Sequence, residues 1–97
     1  MAEARWGGFV LAKSDEVVEI ENSLYFPRET VRMDLLSATV TRTRCPWKGE
    51  ATYYTITIGG DSLVDAAWSY EAPRSRGRAI SGYVAFWKKV KISRGPL

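Results

Sequence analysis

Ala51-Thr52-Tyr53-Tyr54-Thr55-Ile56-Thr57-Ile58 runs into Gly59-Gly60-Asp61. Thr55 and Thr57 alternate with Ile56 and Ile58, the period of a strand that turns one face to a core. β-branched and aromatic residues fill the run and suit a pleated, half-buried surface. The glycines end it and permit a hairpin turn, so Leu63 to Tyr70 is expected to return as a second strand.

The pattern extends in both directions. Ala38 to Arg44 reads as a Thr-rich strand, and Cys45-Pro46-Trp47-Lys48-Gly49 as the turn that joins it to Ala51. Near the start, Trp6 to Lys13 is apolar enough for a strand, Ser14-Asp15 supplies a turn, and Glu16 to Glu21 alternates, so these two are expected to pair as a hairpin. Asn22 and Ser23 break the pattern before Leu24-Tyr25-Phe26. Pro27 stops that strand or sits at an edge, and it also suits the first turn of a helix. Arg28 to Leu36 is therefore expected to form one or two helical turns with Val31, Leu35 and Leu36 inward. After the central hairpin, Ala72 to Ala79 is a basic loop. Ile80 to Ile92 is expected to close the domain as one strand, with Val84, Phe86, Val90 and Ile92 on one face and Lys89 and Lys91 on the other.

Strands at such short spacing predict a mostly β protein: one compact antiparallel domain, barrel-like, with one short helix. The 97 residues suit a single domain with its core at about residues 8–93. A chain of this size buries about 60–65% of its unfolded surface, enough for one core and one modest cleft. Four Trp, five Tyr and three Phe supply large apolar areas.

Composition also removes chemistries. No His is present, which takes away the commonest general base and metal ligand. A single Cys forbids an internal disulfide and cannot build a paired-cysteine zinc site, so neither a metal nor a cofactor is expected. No run approaches the length of a membrane span, and the first residues lack the apolar stretch of a signal peptide. The expected compartment is the cytoplasm, with no membrane partner.

Several segments taken together are distinctive: Tyr25-Phe26-Pro27-Arg28-Glu29, Cys45-Pro46-Trp47-Lys48-Gly49-Glu50-Ala51-Thr52-Tyr53-Tyr54, Ala67-Trp68-Ser69-Tyr70 and Gly82-Tyr83-Val84-Ala85-Phe86. In order and spacing the chain resembles the bacterial domain-of-unknown-function family numbered 427, over about Gly8 to Phe86. The resemblance implies a fold similar to the β-tent of methionine-R-sulfoxide reductases. It implies little about activity. A nucleotidyltransferase label attaches to the family, yet the chain shows no Gly-Ser followed by spaced aspartates to hold magnesium. The resemblance also implies Pro and Asp after the Trp-Ser-Tyr segment, where this chain has Glu71, Ala72 and Pro73.

The candidate site follows from residue chemistry. Cys45 is the only soft nucleophile, with Arg44 and Lys48 nearby to favour a thiolate, although free Cys is more often packed as a small hydrophobe. Lys48 can bind a phosphate or carboxylate, and Glu50 can hold Lys48 or serve as a base. Cys45 and Glu50 are thus the catalytic candidates, and no catalytic motif decides whether the chain is an enzyme. Tyr25, Trp47, Tyr54, Trp68 and Tyr70 are rings with polar tips, suited to a pocket or to the core. In Trp68-Ser69-Tyr70 the strand period puts both rings on one face. Arg28 can grip an anion, with Arg32 one helical turn away. The leading expectation is a small, anionic ligand held by Tyr25, Arg28, Cys45, Trp47, Lys48, Glu50, Tyr54, Trp68 and Tyr70.

A second expectation comes from charge. From Pro73 onward the chain carries Arg74, Arg76, Arg78, Lys88, Lys89, Lys91 and Arg94 without an Asp or Glu. With Tyr83 and Trp87 this composition suits single-stranded nucleic acid. It equally suits a soluble edge strand protected by Lys, or a homodimer edge at Lys88 to Ile92.

Overall fold

A computed structural model describes residues 1–73 and 75–95. Arg74, counted above with the basic half, lies outside the described residues. Among them, nine strands run in chain order: β1 (Ala2–Trp6), β2 (Phe9–Ser14), β3 (Val18–Ile20), β4 (Ser23–Tyr25), β5 (Leu36–Cys45), β6 (Gly49–Ile58), β7 (Asp61–Ser69), β8 (Val84–Phe86) and β9 (Lys91–Arg94). They form three antiparallel sheets, ordered β2-β1-β9, β3-β4 and β5-β6-β7-β8. The mostly β, antiparallel expectation is met. No described helix is long and apolar enough to cross a membrane.

The central meander β5-β6-β7 follows the sequence pattern closely. Ile58 pairs with Asp61 across the Gly59-Gly60 turn, where Gly59 takes a left-handed φ of 60°. Three expectations differ. The run Trp6 to Lys13 is not one strand. Gly7 and Gly8 have φ of 59° and 80°, and the paired residues Trp6 and Phe9 close a two-residue hairpin turn around them. Both central residues of that turn type need positive φ, which Gly meets at no steric cost. Consequently β2 pairs with β1, while the strand expected over Glu16 to Glu21 is confined to Val18–Ile20 and pairs with Ser23–Tyr25. Second, Arg28 to Leu36 is not a continuous helix. It makes two 3-10 turns, Arg28–Thr30 and Met33–Leu35, separated by Val31, which bridges to Ala12 of β2. The Leu11 carbonyl accepts the Arg32 N–H at 2.8 Å, so tertiary pairing interrupts a helix too short to stand alone. A third 3-10 turn covers Ser75–Ile80. Third, Ile80 to Ile92 splits into β8 and β9, which belong to different sheets. A turn between them, with Lys88 at φ 61°, reverses the chain.

The two-stranded β3-β4 unit is tied to the larger sheet. Phe26 and Val84 exchange both backbone hydrogen bonds, at 2.8 and 2.9 Å. β4 therefore lies beside β8, and successive residues take opposite faces. Leu24, Phe26, Tyr54, Ile56, Val84 and Phe86 join the main core, capped by Ala4, Leu11 and Ala12 of the β2-β1-β9 sheet. Tyr25, Ala51, Tyr70, Ile80 and Ala85 form a second cluster on the other face, against which Cys45, Tyr53 and Trp68 pack.

β7 carries a bulge at Asp65. The residue has φ 54°, and the β6-β7 register shifts between Tyr54 and Ile56. Its carboxylate accepts hydroxyl bonds from Thr39 at 2.7 Å and Thr41 at 2.6 Å, both on β5, beside the β5-β6 register shift. The Asp65 carbonyl accepts the Trp87 indole N–H at 2.6 Å. Bulges bend a strand and re-aim its side chains, and Asp tolerates the left-handed region better than most residues. The Thr41 and Thr39 bonds hold the Asp65 carboxyl below its usual range, with burial opposing and Lys88 assisting.

A carboxyl whose folded value is depressed contributes stability above its unfolded value and loses it as pH falls through the folded one. Asp65→Asn is therefore expected to lower stability by about 1–2 kcal/mol at neutral pH, as for partly exposed charge-assisted hydrogen bonds. The gap between variant and wild type should narrow below about pH 4. Urea unfolding at a series of pH values measures both, and a pH-independent gap would show that the ionised carboxylate is not the source.

Candidate functional site

The turn between β5 and β6 places a lysine in the interior. Cys45 pairs with Gly49, which has φ 112°, so Pro46, Trp47 and Lys48 form a tight loop. The Ser75–Ile80 turn lies against it. A Cβ built on Gly77 would sit 3.1 Å from the Lys48 carbonyl oxygen and 3.3 Å from its Cα, so any larger residue would have to push the Lys48 backbone aside by a few tenths of an ångström. Lys48 is left 5% exposed.

A buried ammonium needs compensation. The Lys48 ammonium is ion-paired and hydrogen-bonded to the Glu21 carboxylate. It also stands 4.9 Å from the Trp47 ring centre and 5.3 Å from that of Tyr70, distances at which aromatic faces attract a cation. Burial works against its charge and is the largest single influence. Even so, the Glu21 bond, the Tyr25 and Tyr70 hydroxyls and the Glu21 charge together raise the Lys48 pKa above the ordinary lysine value. Lys48 is thus a fixed cation rather than an amine nucleophile. The hydrogen bond from Lys48 and then its charge lower the Glu21 pKa, against a small burial effect and with help from Trp47. Burial pushes the Tyr70 phenol up, with the Lys48 charge opposing and Tyr25, Cys45 and Tyr53 adding to the rise.

Glu21 and Asn22 are the two central residues of the β3-β4 turn, with φ of 53° and 68°. That turn favours Asn and Gly, and a left-handed residue costs about 1–2 kcal/mol. Glu21 occupies the position despite this, and its side chain is 58% exposed.

Lys48 and Glu21 border a cavity of about 250 Å³. Tyr25 and Tyr70, both almost fully buried, form its floor, with ring centres 6.4 Å apart. Trp68 stands perpendicular to Tyr25 at 6.1 Å and donates its indole N–H to the Tyr25 hydroxyl at 3.3 Å. Tyr53 and Trp87 flank Trp68 at 6.4 and 6.0 Å. Ile20 and Ser23, on either side of the β3-β4 turn, complete the wall.

Of the residues singled out in the sequence, Tyr25, Lys48, Trp68 and Tyr70 line this cavity, and Trp47 backs the Lys48 ammonium. Cys45 packs, partly exposed, against the same cluster without lining the cavity. Arg28, Glu50 and Tyr54 are not brought to it. Along β6, Ala51 and Tyr53 face the aromatic cluster, so Glu50 and Tyr54 fall on the opposite parity. Glu50 borders a shallow depression with Arg44 and Ala72. Arg28 donates to the Gly82 carbonyl, the Tyr54 hydroxyl and the Glu71 carboxylate at 3.2, 3.0 and 3.2 Å. Tyr54 also donates to Glu71. This second cluster gives Glu71 a structural partner set. Glu21, Ser23, Tyr53 and Trp87 also line the cavity, though none was among the pocket residues expected from the sequence, where Trp87 was read with the basic half. The Asn22-Ser23 break was the signal available for the first two, since a tight turn there brings Glu21 to the tip of a hairpin.

The family model described as a domain of unknown function (DUF427) matches residues 1–94. The chain belongs to this family. No curated protein matches it. The DUF427 model also carries a nucleotidyltransferase label. Among the described residues no group of three or more His, Cys, Asp or Glu side chains could hold a metal ion.

Glu21 should titrate below the ordinary carboxylate range, followed by its side-chain carboxyl NMR signal. In Lys48→Met the titration is expected to move up into that range, because both depressing influences of Lys48 are removed. An unchanged Glu21 midpoint in the folded variant would mean that the pair does not persist in solution.

Proposed function

We propose that this DUF427 chain binds a small ligand made of a planar body and one anionic group. The observation that carries the reading is the Lys48 ammonium, almost wholly buried at the end of a ring-lined cavity. Among the described residues its one carboxylate partner is Glu21, on an exposed and strained hairpin turn. An ammonium offers three donors, and a ligand carboxylate or phosphate takes the place of the Glu21 oxygen. Displaced, Glu21 swings into water at little cost, whereas Lys48 always keeps an anion. Trp68, Tyr53 and Trp87 supply stacking area at low entropic cost, and the Tyr25 and Tyr70 hydroxyls supply polar contacts. A volume of about 250 Å³ suits one ring system with an acid group and little more.

Glu21 then acts as an internal competitor, and this sets a pH signature. Protonating Glu21 removes the competitor, so affinity for an anion that stays ionised rises as pH falls toward the Glu21 value. Tryptophan fluorescence titrations with aromatic carboxylates and aromatic phosphates at neutral pH provide the test. Quenching with saturable binding is expected, Lys48→Met should lose at least about tenfold in affinity, and Glu21→Gln should gain about three- to tenfold. Equal affinity in wild type and Lys48→Met, or no binding of either probe class by wild type or Glu21→Gln, would overturn the reading.

A further inference from the structure

We infer that the groove between the first hairpin turn and β9 binds single-stranded nucleic acid. The basic half of the sequence is divided by the fold. Trp87 joins the aromatic cavity, and Lys88 donates to the Val64 carbonyl. Lys89 and Lys91 go elsewhere, to a groove of about 280 Å³ that they share with Arg5, Trp6, Gly7 and Gly8. This groove and the Lys48 cavity have no lining residue in common.

Register builds the groove. β1 is the middle strand of its sheet, and β9 pairs with it so that Arg5 stands directly opposite Lys91. Like charges facing each other across a ladder are destabilising. The chain nevertheless places them there and adds Lys89 at the same end. Glu3 offsets part of this charge, bonding Arg5 at 3.1 Å and lying 3.8 Å from Lys13. An anionic partner accounts for a cationic excess that folding alone disfavours.

The groove is more than a charge cluster. Trp6, half-buried because it also packs against the main core, lines it with its exposed part. Its cross-strand partner Phe9, a large ring left 46% exposed at the surface, stands beyond the groove lining. The Gly8 backbone is open, with nothing within 4 Å of where a Cβ would stand. Ring faces accept unpaired bases by stacking, and cations at the rim accept phosphates. Free phosphate would use the cations and leave the Trp6 ring idle. A duplex keeps its base faces stacked inside. A single strand presents both a base face and a phosphate within one nucleotide, which is the combination this groove offers.

Fluorescence anisotropy with a labelled oligodeoxythymidylate of about 10 nucleotides tests the assignment. Three phosphate contacts on a single strand predict that affinity falls about 20-fold between about 50 and about 200 mM salt. The exposed double substitution Lys89→Glu with Lys91→Glu should weaken low-salt binding by at least about tenfold without lowering the melting temperature, since Lys91→Glu sets opposite charges across the ladder from Arg5. Lys48→Met should bind the oligonucleotide as wild type does, which separates this site from the aromatic cavity. The assignment is overturned by salt-independent binding, by wild-type affinity in the double variant, or by no binding at low salt. It is equally overturned if vesicles of anionic phospholipid are bound through the same lysines while the oligonucleotide is not.

Discussion

Two backbone hydrogen bonds between Phe26 and Val84 organise the molecule. The β3-β4 hairpin has strands of three residues each, too little to hold itself together in water. Docked on β8, it becomes an extension of the four-stranded sheet. Its parity is then set: Phe26 meets Phe86 at 5.9 Å in the main core, and Tyr25 is turned to the other face against Trp68. The same docking carries the hairpin tip over to the β5-β6 turn, where Glu21 meets Lys48. Fold and candidate site are consequences of one strand pairing.

Lys48 shows how the protein holds a charge inside. An ammonium loses several kcal/mol of hydration on burial, on the order of what its partners must restore. Here the partners are one carboxylate and two ring faces, and the carboxylate is the weakest anchored of them. Trp47 is the residue next to Lys48 in the loop, and Tyr70 belongs to the buried floor. Glu21 reaches in from a turn whose backbone favours a different residue. The arrangement joins an almost wholly buried cation to a carboxylate held on an exposed turn, and the proposed ligand binding rests on that difference.

Asp65 governs the other end of the aromatic face. Its carboxylate gathers Thr39 and Thr41 from β5 while its backbone belongs to β7, so it spans the curved part of the sheet. The carbonyl of the same residue fixes the Trp87 indole. The rim of the cavity is therefore held by a bulge, not by regular pleating. Rim residues set in this way are invisible to any reading based on strand period.

Much of the meander was legible residue by residue. The Thr-Ile alternation of β6, the Gly59-Gly60 turn and the shared face of Trp68 and Tyr70 all follow from local stereochemistry. The Cys45–Gly49 turn was equally plain from its Pro and Gly. Hidden were the Gly7-Gly8 hairpin, which sits inside an apolar run, and the split of the last strand into two sheets. Tyr53 and Tyr54 could not be told apart, because both are aromatic and only pairing with β7 decides which one faces Trp68. Glu21 looked like a solvent-facing strand residue until the turn at Asn22 reversed the chain. By itself, then, the sequence determined strand period, turn chemistry and the family. Tertiary structure alone decided which strands are neighbours, which parity faces the cavity and which carboxylate meets Lys48. Period is a property of consecutive residues, whereas strand order, bulges and ion pairs depend on contacts between segments far apart in the chain.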